Sequence, residues 1–177
     1  MTAILYREIL AQLVTQRVPE KFLRRVIDGD DTYRSLILVS PWIDPLYDQE
    51  YRLEALVKKI EKRNILTYVI TREPEERWHK EAVDLLCRCA TVEMNFNHLL
   101  HAKFFVCESI PHGFALLATS NLTTPGLLGY EVGLLVEGRG GGEPIVNKLR
   151  DLCLFTLRAF KETRRVKEIR RIGGSRS

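Results

Sequence analysis

At 177 residues the chain is long enough for one well-buried core and short for two, so any function must be built on a single domain. Hydrophobic residues make up 45% and charged residues 28%, an ordinary globular composition that excludes disordered, collagen-like and membrane-spanning classes. The formal net charge is +4, but residues 161 to 177 hold seven basic residues against Glu162 and Glu168, so that end carries +5 and the remainder −1. The basic character is therefore local, suited to a polyanion contact or to a solvated helix end.

The opening segment MTAILYREILAQLV is interrupted by Arg7, Glu8 and Gln12. It has neither the continuous apolar stretch of a signal peptide nor the length of a membrane span, which leads to the expectation of a cytoplasmic protein without stable membrane association. Ile4, Leu5, Ile9, Leu10 and Leu13 recur at helical spacing, and Phe22, Leu23, Val26 and Ile27 do so again after Pro19. Two short helices over residues 1–32, packed on the core, are expected. SLILVSPWI (Ser35 to Ile43) is short, branched and apolar between Gly29-Asp30-Asp31 and Asp44-Pro45, which predicts a buried strand.

Leu53, Leu56, Val57 and Ile60 mark an amphipathic helix between Gln49 and Lys62, and ILTYVIT (Ile65 to Thr71) is a second buried strand, so the unit is a crossover. Pro74 with Glu75 and Glu76 opens a further helix carrying Trp78, Val83, Leu85 and Leu86. TVEMNF is a third strand, and KFFVCES, FALLATS and EVGLLVE follow as three more with short connections at Ile110 to Gly113 and around Pro125-Gly126. Those connections suit antiparallel neighbours. Beyond the glycine cluster at Gly138 and Gly140 to Gly142, Pro144 starts a last helix with Val146, Leu149, Leu152, Phe155, Leu157 and Phe160 apolar. Helices among the early strands and hairpins later predict an α/β fold with a mixed central β-sheet flanked by helices: a main domain over residues 33–163 and a basic tail over 164–177. Cys87 and Cys89 form a C-x-C pair, Cys107 and Cys153 stand in apolar runs, and no second pair of metal ligands accompanies them, so reduced thiols are expected.

The chemistry concentrates between His101 and Glu131. His101 and Lys103 are two residues apart before an apolar strand, and in extended chain that spacing puts a nucleophile and a cation on one face. Glu108 lies five residues beyond Lys103, and the next strand ends in Thr119-Ser120-Asn121-Leu122-Thr123. This order resembles the phospholipase D superfamily, whose HKD motif reads HxKxxxxD, followed by GSxN and then by a glutamate on the next strand. His101 and Lys103 match its first two residues, Glu108 stands at the aspartate, Thr119 and Asn121 stand at the serine and asparagine, and Glu131 is the downstream acid. Glu for Asp, and Ala118-Thr119 for Gly-Ser, are departures that keep a carboxylate and a hydroxyl. LVSPWID (Leu38 to Asp44) also looks like the first core strand and turn of many nucleases of that family, so the resemblance spans roughly residues 33 to 138.

The resemblance implies a phospholipase D-like αβα sandwich and a metal-independent phosphodiesterase that needs no cofactor. In the family solution two copies of the motif face each other: one histidine attacks phosphorus to give a phosphohistidine and the other protonates the leaving group. Carried over, His101 is the nucleophile, Lys103 and Asn121 hold the phosphoryl oxygens with Thr119 assisting, Glu131 orients the imidazole, and Glu108 positions Lys103 or the strand turn. Only one copy is present, because His79, His98 and His112 lack a lysine two positions on; a homodimer with His101 of both subunits at its axis is implied. Small single-motif members of the family are chiefly nucleases, and Lys161, Arg164, Arg165, Lys167, Arg170 and Arg171 offer phosphate contacts, so an endonuclease acting on DNA more than RNA leads. A lipid phosphodiesterase and a weakened, nucleic-acid-binding module are the alternatives. Taken singly, His101, Lys103, Asn121 and Thr123 also read as strand-end and turn residues with local hydrogen bonds. Trp42 and Trp78 are expected in the core rather than stacked on bases; Asn97 and His98 either line the cleft or form a loop.

Overall fold

A computed structural model describes residues 9–29, 32–110, 112–139 and 147–151. Several expectations lie wholly or partly outside them: the first eight residues, the glycines at 140–142 with Pro144, Cys153, most of the last helix, and the basic tail with Lys161, Arg164, Arg165, Lys167, Arg170 and Arg171. In chain order the elements are β1 (Ile9–Val14), α1 (Val18–Asp28), β2 (Thr32–Val39), α2 (Leu53–Arg63), β3 (Leu66–Thr71), α3 (Arg77–Cys87), β4 (Val92–Phe96), β5 (Phe104–Ile110), β6 (His112–Ala118), α4 (Thr124–Leu128) and β7 (Gly133–Arg139). Residues 147–151 are helical.

The strands form one sheet in the order β1-β7-β6-β5-β2-β3-β4. β2, β3 and β4 are parallel, joined by α2 and α3, while β5, β6, β7 and β1 add antiparallel ladders. The expected mixed sheet is the observed one. Alternation along each strand divides the apolar side chains between two faces. Leu36, Leu38, Val69, Phe105, Cys107, Phe114 and Leu116 join the buried faces of α1, α2 and α3 in the larger cluster, whereas Ile37, Val39, Ile70, Val106 and Ala115 form a second cluster that Leu149 covers. The sheet is thus packed on both faces, which is why its central strands read as near-continuous apolar runs.

The N-terminal segment corrects the sequence reading. Ile9 to Val14 is not helical but pairs antiparallel with β7, Ile9 opposite Gly138 and Val14 opposite Gly133. Ile9, Leu10 and Leu13 do carry helical spacing, yet β7 otherwise offers an open edge of N–H and C=O groups, and satisfying that edge outweighs local periodicity. Pro19 does not divide two helices either; it lies in the first turn of α1, where its missing N–H costs nothing. β2 is also displaced from its expected range, ending at Val39, so that Ser40 to Asp44 belong to a loop.

Phe22 shows how α1 is held. Its ring lies 5.5 Å from that of Phe105 and 5.3 Å from that of Phe114, and the side chain is buried between helix and sheet. Removing it leaves a cavity where α1 crosses β5 and β6. Phe22→Ala is expected to cost about 3–5 kcal/mol in urea unfolding; a loss below about 1 kcal/mol would mean that α1 is not docked in this way.

Candidate active site

The sheet's directions bring one set of strand ends together: the C-terminal ends of β2, β3 and β6 and the N-terminal ends of β5 and β7. The C-terminal side of parallel strands is where α/β sheets present ligand sites. His101 and Lys103 lie at this edge, but in the extended segment before β5, which begins at Phe104 rather than at Lys103. Lys103 is located by its carbonyl, which accepts the Ala118 N–H at 3.0 Å. Thr119 follows directly, and its N–H donates to the Val132 carbonyl at 2.9 Å while its hydroxyl accepts the Val132 N–H at 3.0 Å. The Thr119 hydroxyl donates its proton to Glu131 Oε2 in a short hydrogen bond. Lys103, Thr119 and Glu131 are therefore carried on the ends of three adjacent strands.

Asn121 is placed by a separate set of bonds. The Leu122 N–H donates to Ser40 Oγ at 3.0 Å, and the Asp44 N–H donates to the Leu122 carbonyl at 3.0 Å. Asp44 Oδ2 accepts the Thr124 N–H at 2.7 Å, and Oδ1 accepts the Leu46 N–H at 2.9 Å. The chain after β6 is thereby bound to the loop after β2. α4, unforeseen as a helix, packs so closely that a Cβ on Gly126 would lie 2.3 Å from the Asn121 carbonyl oxygen, so glycine is required there. Asn121 Oδ1 is buried without a hydrogen-bond partner among the described residues. A side-chain amide can present either its oxygen or its NH2 group at that point.

Glu108 lies away from this edge. It is five residues along β5 from Lys103, about 16 Å of extended chain, and pairs with Ser35 across β2. Its carboxylate accepts a short hydrogen bond from Ser35 Oγ and another from Arg150 Nη1 at 2.5 Å. It holds the helical residues 147–151 to the sheet and does not position Lys103, because the strand that carries both residues separates them. Asn97 is buried: its Oδ1 accepts the Leu99 N–H and its carbonyl accepts the Leu100 N–H, so it builds the turn into His101, while His98 is exposed.

Three further residues escape the sequence reading. Arg72, just after β3, donates from Nε to the Leu100 carbonyl at 2.9 Å, pinning the backbone beside His101, and its guanidinium lies 4.6 Å from the centre of the Trp42 ring. Ser40 and Asp44 stand within LVSPWID, but their partners lie about 80 residues away and no local pattern announces them. The tryptophans depart from expectation: Trp42 is half-buried and Trp78 is exposed, and both line a cavity beside Asn121.

Solved structures share this architecture. Nuc from Salmonella typhimurium, a phospholipase D family member, is similar with a TM-score of 0.57 at 16% identity over 86% of this chain and 93% of that one. NucT from Helicobacter pylori is similar with a TM-score of 0.59 at 14% identity, over 82% of this chain and 93% of that one. Polyphosphate kinase from Porphyromonas gingivalis is similar at a TM-score of 0.56 and 15% identity, over 86% of this chain and 26% of that one. No protein-family model and no curated protein matches the sequence. The chain has the phospholipase D-like fold. Proteins with differently named activities share it, so the reaction must be argued from the site.

Behind the site His79 is buried on α3, with Nε2 2.9 Å from Thr71 Oγ1, which itself donates to the Pro41 carbonyl. Burial pushes the His79 imidazole below its ordinary range. The unfolded chain then binds that proton more readily, so the His79 contribution is complete above an unfolded pKa of about 6.5 and is lost as pH falls through the lower folded value. Urea midpoints should drop between about pH 7.5 and about pH 5, and His79→Gln, which cannot titrate, should show a shallower drop. Identical slopes in the two proteins would contradict this assignment.

Proposed function

We propose that the protein is a phosphodiesterase of the phospholipase D type, acting on nucleic acid as an endonuclease, with DNA favoured over RNA. The observation that carries the reading is the meeting of Lys103, Thr119 and Glu131 on three adjacent strand ends, beside a loop that holds Asn121 with an unpartnered buried amide oxygen. His101 Nε2 attacks phosphorus and the bond to the leaving oxygen breaks, giving a phosphohistidine; His101 of the partner subunit supplies the proton that the leaving oxygen takes. Water then attacks the phosphohistidine, releasing a phosphate monoester and restoring both imidazoles. Lys103 and Asn121 hold the non-bridging oxygens, where negative charge develops. Thr119 has its single proton engaged by Glu131, so its part is to hold that carboxylate for orienting His101 rather than to assist at the phosphoryl oxygens.

The shared site needs a second copy, and the surface beside it favours one. Leu128, Tyr130, Val132 and Leu134 are exposed on either side of Glu131, a local excess of apolar area of the kind that an interface covers. No described helix is long and apolar enough to cross a membrane. Activity on single-stranded DNA, duplex DNA, RNA and phosphatidylcholine should survive excess EDTA, favour a nucleic acid, fall at least about 1,000-fold in His101→Ala and fall about 100- to 1,000-fold in Asn121→Ala. Loss of activity in EDTA, or turnover of the lipid alone, would refute the reading. Light scattering should give a dimer at micromolar concentration that Tyr130→Glu dissociates, with activity lost in parallel; an active monomer would eliminate the shared site.

A further inference from the structure

Apart from Asn121 itself, the residues of the cavity beside it have no part in the reaction described above. The cavity has a volume of about 410 Å3 and is lined by Trp42, Asp44, Trp78, Asn121, Thr123 and Pro125, within the range of about 300–1,000 Å3 typical of small-ligand sites. Both tryptophans of the chain meet in it, and the core does not absorb either. Trp42 is half-buried and Trp78 is 38% exposed. Each indole is nevertheless held. The buried His79 ring lies 5.6 Å from that of Trp78 at an interplanar angle of 19°, and the Arg72 guanidinium covers Trp42. Rigid aromatic surface in a concave site is a platform on which a flat ring can stack.

The polar groups discriminate between flat rings and cations. A quaternary ammonium headgroup would seek open aromatic faces and uncompensated negative charge. Here a guanidinium already supplies positive charge on one face of Trp42, leaving the other face for a ring, and Asp44 is compensated by the Leu46 and Thr124 N–H groups and the Thr124 hydroxyl. What remains is hydrogen-bonding capacity: the second lone pair of Asp44 Oδ2 and the unpartnered, buried side-chain amide of Asn121. Those features suit a neutral heterocycle with donors on its edge.

We infer that this cavity seats an unpaired nucleobase adjoining the scissile phosphodiester, with Trp78 and Trp42 as stacking surfaces and Asp44 and Asn121 at its polar edge. Asn121 joins the cavity to the phosphoryl site, so the base belongs to a nucleotide next to the cleaved bond. A base inside a duplex is paired and stacked on both sides and must be extruded to enter. The substrate is accordingly a single strand, or a single-stranded stretch within a longer nucleic acid. This inference rests on the nucleic-acid reading given above.

Binding tests it independently of turnover. The 177-residue chain carrying His101→Ala is titrated in EDTA with a single-stranded oligonucleotide, the same strand with abasic sites, its duplex, and phosphatidylcholine vesicles, following both strand anisotropy and tryptophan fluorescence. The intact strand should quench the fluorescence and bind about 10- to 100-fold more tightly than the abasic strand. Adding Trp78→Ala should weaken the intact strand by a similar factor and leave the abasic strand unaffected, and Trp78→Phe should restore most of the loss; circular dichroism monitors folding. Equal affinity for intact and abasic strands, tighter binding of the duplex, or quenching by phosphatidylcholine alone would overturn the base site. The two proposals fail separately: cleavage by the wild-type chain with indifference to Trp78 removes the base site only, whereas Trp78-dependent strand binding without any cleavage removes the nuclease only.

Discussion

One carboxylate joins two loops that are about eighty residues apart in the chain. Asp44 receives the Thr124 N–H on one oxygen and the Leu46 N–H on the other, and its own N–H reaches the Leu122 carbonyl. Ser40 adds a second tie by accepting the Leu122 N–H. Asn121 immediately precedes these ties, so its position is set by the loop after β2 as much as by the end of its own strand. Backbone amides that would otherwise be buried without partners make this arrangement expensive to disturb, because each orphaned donor costs about 1–3 kcal/mol. The place of Asn121 and one wall of the aromatic cavity depend on that closure.

The sheet explains why the remaining groups gather at one edge. β5 runs antiparallel to β2 and β6, so its first residues stand beside the last residues of both. β7, antiparallel to β6, returns Glu131 to Thr119 after the short α4 connection. Arg72 draws the chain between β4 and β5 into the same edge by holding the Leu100 carbonyl, and it covers Trp42 with the same guanidinium. A single side chain thus couples the position of the backbone before His101 to one wall of the cavity. Glu108 serves the opposite need: with Ser35 and Arg150 it fastens the second layer over the far part of the sheet.

Much of the architecture is legible in the residues. β2, β3, β5, β6 and β7 are visible as short apolar runs, α2 and α3 as amphipathic patterns, and the mixed sheet follows from their order, since burial on one or both faces writes its period directly into sequence. His101, Lys103, Thr119, Asn121 and Glu131 are legible as an ordered set around those strands. Ile9 to Val14 is misread because helical spacing is local whereas the vacant edge of β7 lies more than a hundred residues away. The tryptophans are misassigned because hydrophobicity alone does not say whether an indole fills a core or lines a cavity.

The sequence by itself determined most of the elements, their order and the set of polar residues from His101 to Glu131, because each of these depends on spacing along the chain. The tertiary structure alone decided which of those residues meet. It separated Glu108 from Lys103 along a strand, turned the Thr119 hydroxyl onto Glu131, bound Asn121 to the loop of Asp44 and left Trp42 and Trp78 facing a cavity. Such contacts depend on strand register and on hydrogen bonds between distant segments, and neither is encoded in any local period.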